Sequence, residues 1–224
     1  RMLLEMRALT SASRGIAMMA SAAIDISSHS DDPVEREAAR VRGDLLTPIV
    51  KSFPSESALK VTSHAIQVWG GMGFVEETGV AQYYRDSRII PIYEGTNGIQ
   101  AADLIGRKTT RDGGAGYTAL LNEIAAFRGD KAGVAQAALQ RFVARLREVL
   151  PAVLAGGGHA AFAGAVAHDF LMATGHLVGL YALVRNANDP LALPHDEELA
   201  AFHAAHLLPQ AYAHLEVVLA GGDA

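Results

Sequence analysis

Apolar residues recur at three- and four-residue steps along almost the whole chain, and nowhere do they alternate with polar residues over a useful length. That period places side chains on one face of an α-helix, whereas strands need a period of two. Leu9, Ile16, Ala20 and Ala23 make one such stripe, with the first helix expected to reach about Ser27. Ala135, Ala138, Phe142 and Leu146 make another; Phe162, Val166, Phe170, Ala173, Leu177, Tyr181 and Val184 make a third. The expectation is an all-α chain built as a helical bundle, since short connections bring successive helices side by side in alternating directions.

Punctuation between the stripes divides the bundle. Asp32, Pro33 and Glu35 suit a capping box for a second helix with Val34, Ala38, Val41, Leu45 and Ile49 on one face. Pro48 should bend or end that helix, and Phe53-Pro54-Ser55 should turn the chain. Leu59, Thr62, Ile66 and Trp69 stripe the next helix, which Gly70-Gly71 stops. A short helix over about Thr78–Asp86 leads into Ile89-Ile90-Pro91-Ile92-Tyr93, expected as an extended connector that carries one carboxylate, Glu94, into apolar surroundings. Thr96 suits a helix N-cap, with Ile99 and Ala102 opening its apolar stripe. The polar, glycine-rich run 109–116 has the composition of a linker. It divides the chain into a bundle over 1–108 and a helical extension over 117–224, whose last helix, from about Asp196, should kink at Pro209.

Composition removes several function classes. In 224 residues, 19 Lys and Arg are outnumbered by 24 Asp and Glu for a formal charge of −5, and they are scattered rather than clustered, so nucleic acid is not an expected partner. With 0 Cys there is neither a disulfide framework nor a thiolate metal site, and a cytoplasmic location is the default expectation. The apolar stretch from His159 to Val184 is interrupted by His168, Asp169, Thr174 and His176 before it could span a bilayer, which makes it a buried bundle helix. Ala161, Ala163, Gly164 and Ala165 would let a neighbouring helix come close. His203, His206 and His214 share a helix spacing without a carboxylate in a ligand pattern, so no metal site is expected. Gly70-Gly71-Met72-Gly73 follows a helix rather than a strand, which argues against a dinucleotide fingerprint and for a glycine C-cap. The chain begins with Arg1-Met2-Leu3-Leu4-Glu5-Met6-Arg7, as if already inside a helix; this suggests a piece of a longer protein.

Three motifs in order carry a resemblance: Gln67-Val68-Trp69-Gly70-Gly71-Met72-Gly73, Arg85-Asp86, and Tyr93-Glu94-Gly95-Thr96-Asn97-Gly98-Ile99-Gln100. Together they resemble the C-terminal helical domain of FAD-dependent acyl-CoA dehydrogenases, in the long branch that adds a helical extension. The resemblance implies that Glu94 is the catalytic base, taking the α-proton of an acyl-CoA thioester as a hydride leaves the β-carbon for flavin N5. It also implies that the Glu94 amide helps hold the thioester oxygen. By the same resemblance Gln67, Gly70 and Gly71 meet FAD across a dimer interface, with Gly70 shaping the turn, and Thr96 touches the nucleotide. Gly98 stands where the commoner family form has a Gln and can carry no such contact. Arg85-Asp86 suits equally a solvated ion pair and an interface. Implied partners are an acyl-CoA, an electron-transferring flavoprotein, and a second or further copies in a homodimer or homotetramer. Taken alone, the chain should neither hold FAD tightly nor turn over. The alternative is a helical scaffold or oligomerisation module in which Glu94 is structural.

Overall fold

The computed structural model describes residues 1–221. It contains α1 (Met2–His29), α2 (Pro33–Trp69), α3 (Gly71–Phe74), α4 (Val80–Ser87), α5 (Asn97–Asp103), α6 (Ala115–Ala126), α7 (Gly133–Gly156), α8 (Ala160–Asn188), α9 (Asp196–Phe202) and α10 (Leu208–Ala220). A 3₁₀ turn covers Glu76–Thr78, and wider π-helical segments cover Leu104–Thr110 and His203–Leu207. Among the described residues there is no strand, and no helix is long and apolar enough to cross a membrane.

Helices α1 and α2 lie against each other, and α8 packs across both. Nearly every residue of α8 from Phe170 to Val184 is buried, so this helix is the axle of the molecule. One continuous apolar core joins Ile16 of α1, Phe53 of α2, Leu104 and Ile105 after α5, Phe142 of α7, Phe170 of α8 and Leu215 of α10. Close approach to α8 occurs at Gly175, Gly179 and Ala182, not at the small residues 161–165, of which Ala161, Gly164 and Ala165 are exposed. A Cβ on Gly175 would sit 2.6 Å from Cγ of Phe53, and one on Gly179 would sit 3.0 Å from the Ala12 Cβ.

The structure corrects several local expectations. Helix α2 runs unbroken through Pro48 and Pro54 for 37 residues, so the turn expected at Phe53-Pro54-Ser55 does not form. A proline removes one donor and costs about 3 kcal/mol inside a helix, while Leu45, Leu46, Ile49 and Phe53 on the same turns are each fully buried, at about 1.5–3 kcal/mol apiece. Burial wins. At its start Asp32 accepts from the Val34 amide at 2.8 Å, but Glu35 takes the Ser30 hydroxyl instead of closing a capping box. The connector before Glu94 is a chain of tight turns rather than extended: Ile90 N–H donates to the Ser87 carbonyl (3.2 Å), and Ile92 N–H to that of Ile89 (2.9 Å). After Thr96 the buried face is Ala101, Leu104 and Ile105, leaving Ile99 exposed. Where a kink was expected at Pro209, the helix widens into a π-helical turn just before it, and Pro209 lies inside the first turn of α10.

Candidate functional site

The turns that follow α4 end at Glu94, whose backbone has φ 52, one of two non-glycine residues in the left-handed region among the described residues. Such a conformation costs about 1–3 kcal/mol and persists only where its surroundings enforce it. Gly95 follows at φ 85, a value only glycine adopts freely. Thr96 then caps α5, its hydroxyl accepting from the Ile99 amide at 3.2 Å as expected for this residue. The Asn97 amide donates to the Pro91 carbonyl (3.0 Å) and closes the loop on itself.

What holds this loop down was not legible beforehand. Asn97 is buried, and its side chain is fully used: Oδ1 accepts from Lys51 Nζ at 2.8 Å, and Nδ2 donates to Ser55 Oγ at 2.9 Å and Glu56 Oε1 at 2.7 Å. Lys51, Ser55 and Glu56 face the loop because α2 continues through Pro54; a turn there would have scattered them. The one sequence signal was the polar spacing 51, 55, which places both residues on one helical face.

Glu94 is exposed and lines an open hollow of about 290 Å³ with Val50, Lys51, Pro54, Ser55, Ile90 and Tyr93. The apolar surroundings expected are present as one wall, Val50, Pro54, Ile90 and Tyr93, and are joined by a polar floor of Lys51 and Ser55. The Glu94 amide makes no hydrogen bond to the described residues.

The glycine motif sits at the other end of α2. Gly70, at φ 63 and ψ −146, ends the helix and forces a conformation that suits glycine. Gly73 is required by space, since a Cβ there would lie 2.9 Å from the Ile66 Cα. Gly71 is required by neither: it is helical, and a Cβ would meet nothing within 4 Å. Nothing in the chain itself explains the missing side chain at Gly71, which suits a surface that something outside approaches closely. Gln67, Val68, Trp69, Met72 and Phe74 are exposed around it. Arg85 grips Glu76 through two nitrogens (2.9 and 2.6 Å), and Asp86 accepts from Gln82, all on the exposed surface.

The histidines do not converge. His203 meets His176 (3.4 Å) inside the core, His214 meets Asp169 (2.6 Å), and His206 is exposed against Phe202. Among the described residues no cluster of three or more His, Cys, Asp or Glu could hold a metal ion.

Residues 1–109 match the model of the acyl-CoA dehydrogenase C-terminal domain. The chain is 45% identical to the 3-methylmercaptopropionyl-CoA dehydrogenase of Ruegeria pomeroyi, a match covering 84% of this chain and 34% of that protein. It is 37% identical to a butyryl-CoA dehydrogenase of Syntrophomonas wolfei over 58% of this chain and 22% of that one. It thus spans about a third or less of these relatives. Among solved structures it superposes on Caenorhabditis elegans ACDH-11 in complex with C11-CoA with a TM-score of 0.76 at 20% identity, covering 91% of this chain and 35% of that one. It also superposes on a Bacillus anthracis acyl-CoA dehydrogenase complexed with FAD with a TM-score of 0.65 at 19% identity, covering 99% and 44%. At those identities the likeness is one of fold.

Proposed function

Since the chain belongs to the acyl-CoA dehydrogenase family through the C-terminal domain at residues 1–109, we propose that it is the base-bearing portion of an enzyme that oxidises an acyl-CoA thioester to its trans-2-enoyl form. The observation that carries this reading is Glu94: a carboxylate in strained left-handed backbone, presented at the rim of a hollow and locked from below by Asn97. Strain kept at an exposed acid has no value to the fold, and such outliers gather at sites where geometry serves chemistry.

In this reading a Glu94 carboxylate oxygen takes the proton from the α-carbon as that C–H bond breaks. The electron pair of that bond becomes the new double bond while a hydride departs from the β-carbon. FAD, when bound, supplies the hydride acceptor. The unpartnered Glu94 amide donates to the thioester oxygen and stabilises the charge that develops there. Val50, Pro54, Ile90 and Tyr93 provide wall against which an acyl group excludes water. Gly71, bare of side chain and open to the outside, and exposed Gln67 fit the approach of a cofactor held by a second copy, and Gly70 aims them. Thr96 would lend its hydroxyl to the nucleotide. Electrons would leave for an electron-transferring flavoprotein, and the exposed apolar surface around Trp69, Met72 and Phe74 suits a homodimer or homotetramer.

The test uses the full-length enzyme. Glu94→Gln keeps the shape and removes the base, so turnover should fall by about 10²–10⁴ while flavin content per protomer stays at the wild-type level. Retention of wild-type turnover would remove Glu94 from the mechanism. Comparing kcat/KM for 3-methylmercaptopropionyl-CoA and butyryl-CoA then tests which kind of acyl group the hollow prefers.

A further inference from the structure

A second concavity shares no lining residue with the Glu94 hollow. On α1, Arg7, Ser11, Arg14 and Met18 follow one another at helical steps and face Arg185, at the end of α8, across a groove of about 570 Å³. Among the described residues none of the three arginines pairs with a carboxylate: Arg7 donates to His195, and Arg185 lies 5.6 Å over the Tyr181 ring. Two carboxylates line the groove but are committed to backbone, Asp189 to the Leu191 amide and Asp196 to the Leu193 amide, each at 2.8 Å.

Met19, Ala22 and Arg185 line this groove and also an adjoining hollow of about 450 Å³ between α1, α2 and α6. Its wall is mostly aliphatic, with Ala23, Ile26, Ala39, Val41 and Leu120. Its two acids are occupied as well: Glu123 by Arg42 (2.9 Å) and the Tyr181 hydroxyl (3.1 Å), Glu35 by the Ser30 hydroxyl. An apolar hollow that opens at one end onto three guanidiniums without acid partners is complementary to a molecule with one aliphatic chain and one anionic head. Both volumes lie in the range of small-molecule sites, about 300–1,000 Å³.

We propose that this paired cleft binds a single-chain anionic amphiphile of the fatty-carboxylate class, the chain in the α1–α2–α6 hollow and the acid among Arg7, Arg14 and Arg185. The head gains charge-assisted hydrogen bonds from planar donors, and the chain gains about 0.8 kcal/mol per buried methylene. The cleft shares no lining residue with the Glu94 hollow, so the proposal does not depend on the role of Glu94.

The experiment is calorimetric titration of the full-length enzyme with decanoate, decyl phosphate, decanol and inorganic phosphate. Decanoate should bind; decanol, which lacks the charge, and phosphate, which lacks the chain, should each bind at least about tenfold more weakly. Decyl phosphate binding more tightly than decanoate would overturn the carboxylate assignment. Arg14→Ala with Arg185→Ala should weaken decanoate about tenfold or more with kcat and KM for acyl-CoA unchanged, and Arg14→Lys with Arg185→Lys should restore part of the loss. Ala22→Phe, a change at an exposed position between the two hollows, should exclude decanoate by filling the junction. Decanoate binding undiminished in the double alanine variant, or equal binding of decanol, would overturn the proposal. So would decanoate acting only as a competitor of acyl-CoA.

Discussion

Asn97 shows how a single side chain positions a loop. It satisfies a lysine, a serine and a glutamate at once in a nearly buried site, so Asn97→Ala leaves Lys51 and Glu56 short of partners and should cost about 1–3 kcal/mol. Chemical denaturation measures the cost, and a concurrent fall in kcat would show that the Glu94 loop has moved. Two other buried polar residues set a pH limit. Burial pushes the His176 imidazole well below its ordinary value, and the neighbouring His203 and the Lys60 ammonium further disfavour a charge on it; burial alone pushes His203 down to about 3. Both are therefore neutral in the folded protein while the unfolded chain takes up protons below its ordinary value of about 6.5. Stability should be flat above that value and fall as pH drops below it, down to about 3 for His203, by up to about 1.4 kcal/mol per pH unit for each histidine. Melting temperatures at neutral pH and at mildly acid pH test this: His203→Leu should flatten the slope, and an unchanged slope would place the acid sensitivity elsewhere.

At the scale of elements, the helix crossings are set by glycines where sequence periodicity pointed to other positions. Gly175 lies so near the Phe53 ring that Gly175→Ala forces α8 away from α2 and should cost about 1–3 kcal/mol through overpacking. Gly164 has open space around it, so Gly164→Ala in the same helix should instead stabilise by about 0.4–1 kcal/mol through the unfolded chain. Urea midpoints of the two variants should move in opposite directions. Helix α2 carries the same lesson about proline: Pro48 and Pro54 are breakers only where nothing else holds the helix, and here the buried face of Leu45, Leu46, Ile49 and Phe53 does.

For the whole molecule, the axle helix α8 lies beyond the turn at Arg111–Gly114, yet it packs on α1 and α2 before that turn. The turn is held by Asp112, which accepts from the amides of Gly114 (2.9 Å) and Gly116 (2.8 Å). Cutting the full-length enzyme after Gly113 would uncover the apolar face that Phe170, Leu177 and Tyr181 now bury. At about 1.5–3 kcal/mol for each large side chain, that approaches a domain's entire margin of about 5–15 kcal/mol. The truncated enzyme should melt lower and lose its assembly; a normal melt with a lost chemical step would contradict this. Helical class, the stripes of α1, α7 and α8, the Gly70 stop and the Thr96 cap were determined by sequence alone, because period and capping are local properties that neighbours along the chain express, while the expectation placed on Glu94 came from the family resemblance its motif carries. The continuity of α2, the turns before Glu94, the Lys51–Ser55–Glu56–Asn97 network, the glycine crossings of α8 and the arginine-lined groove were decided only in the tertiary structure. Each depends on a partner distant in sequence, whose burial outweighs a local preference or brings together charges that no spacing along the chain reveals.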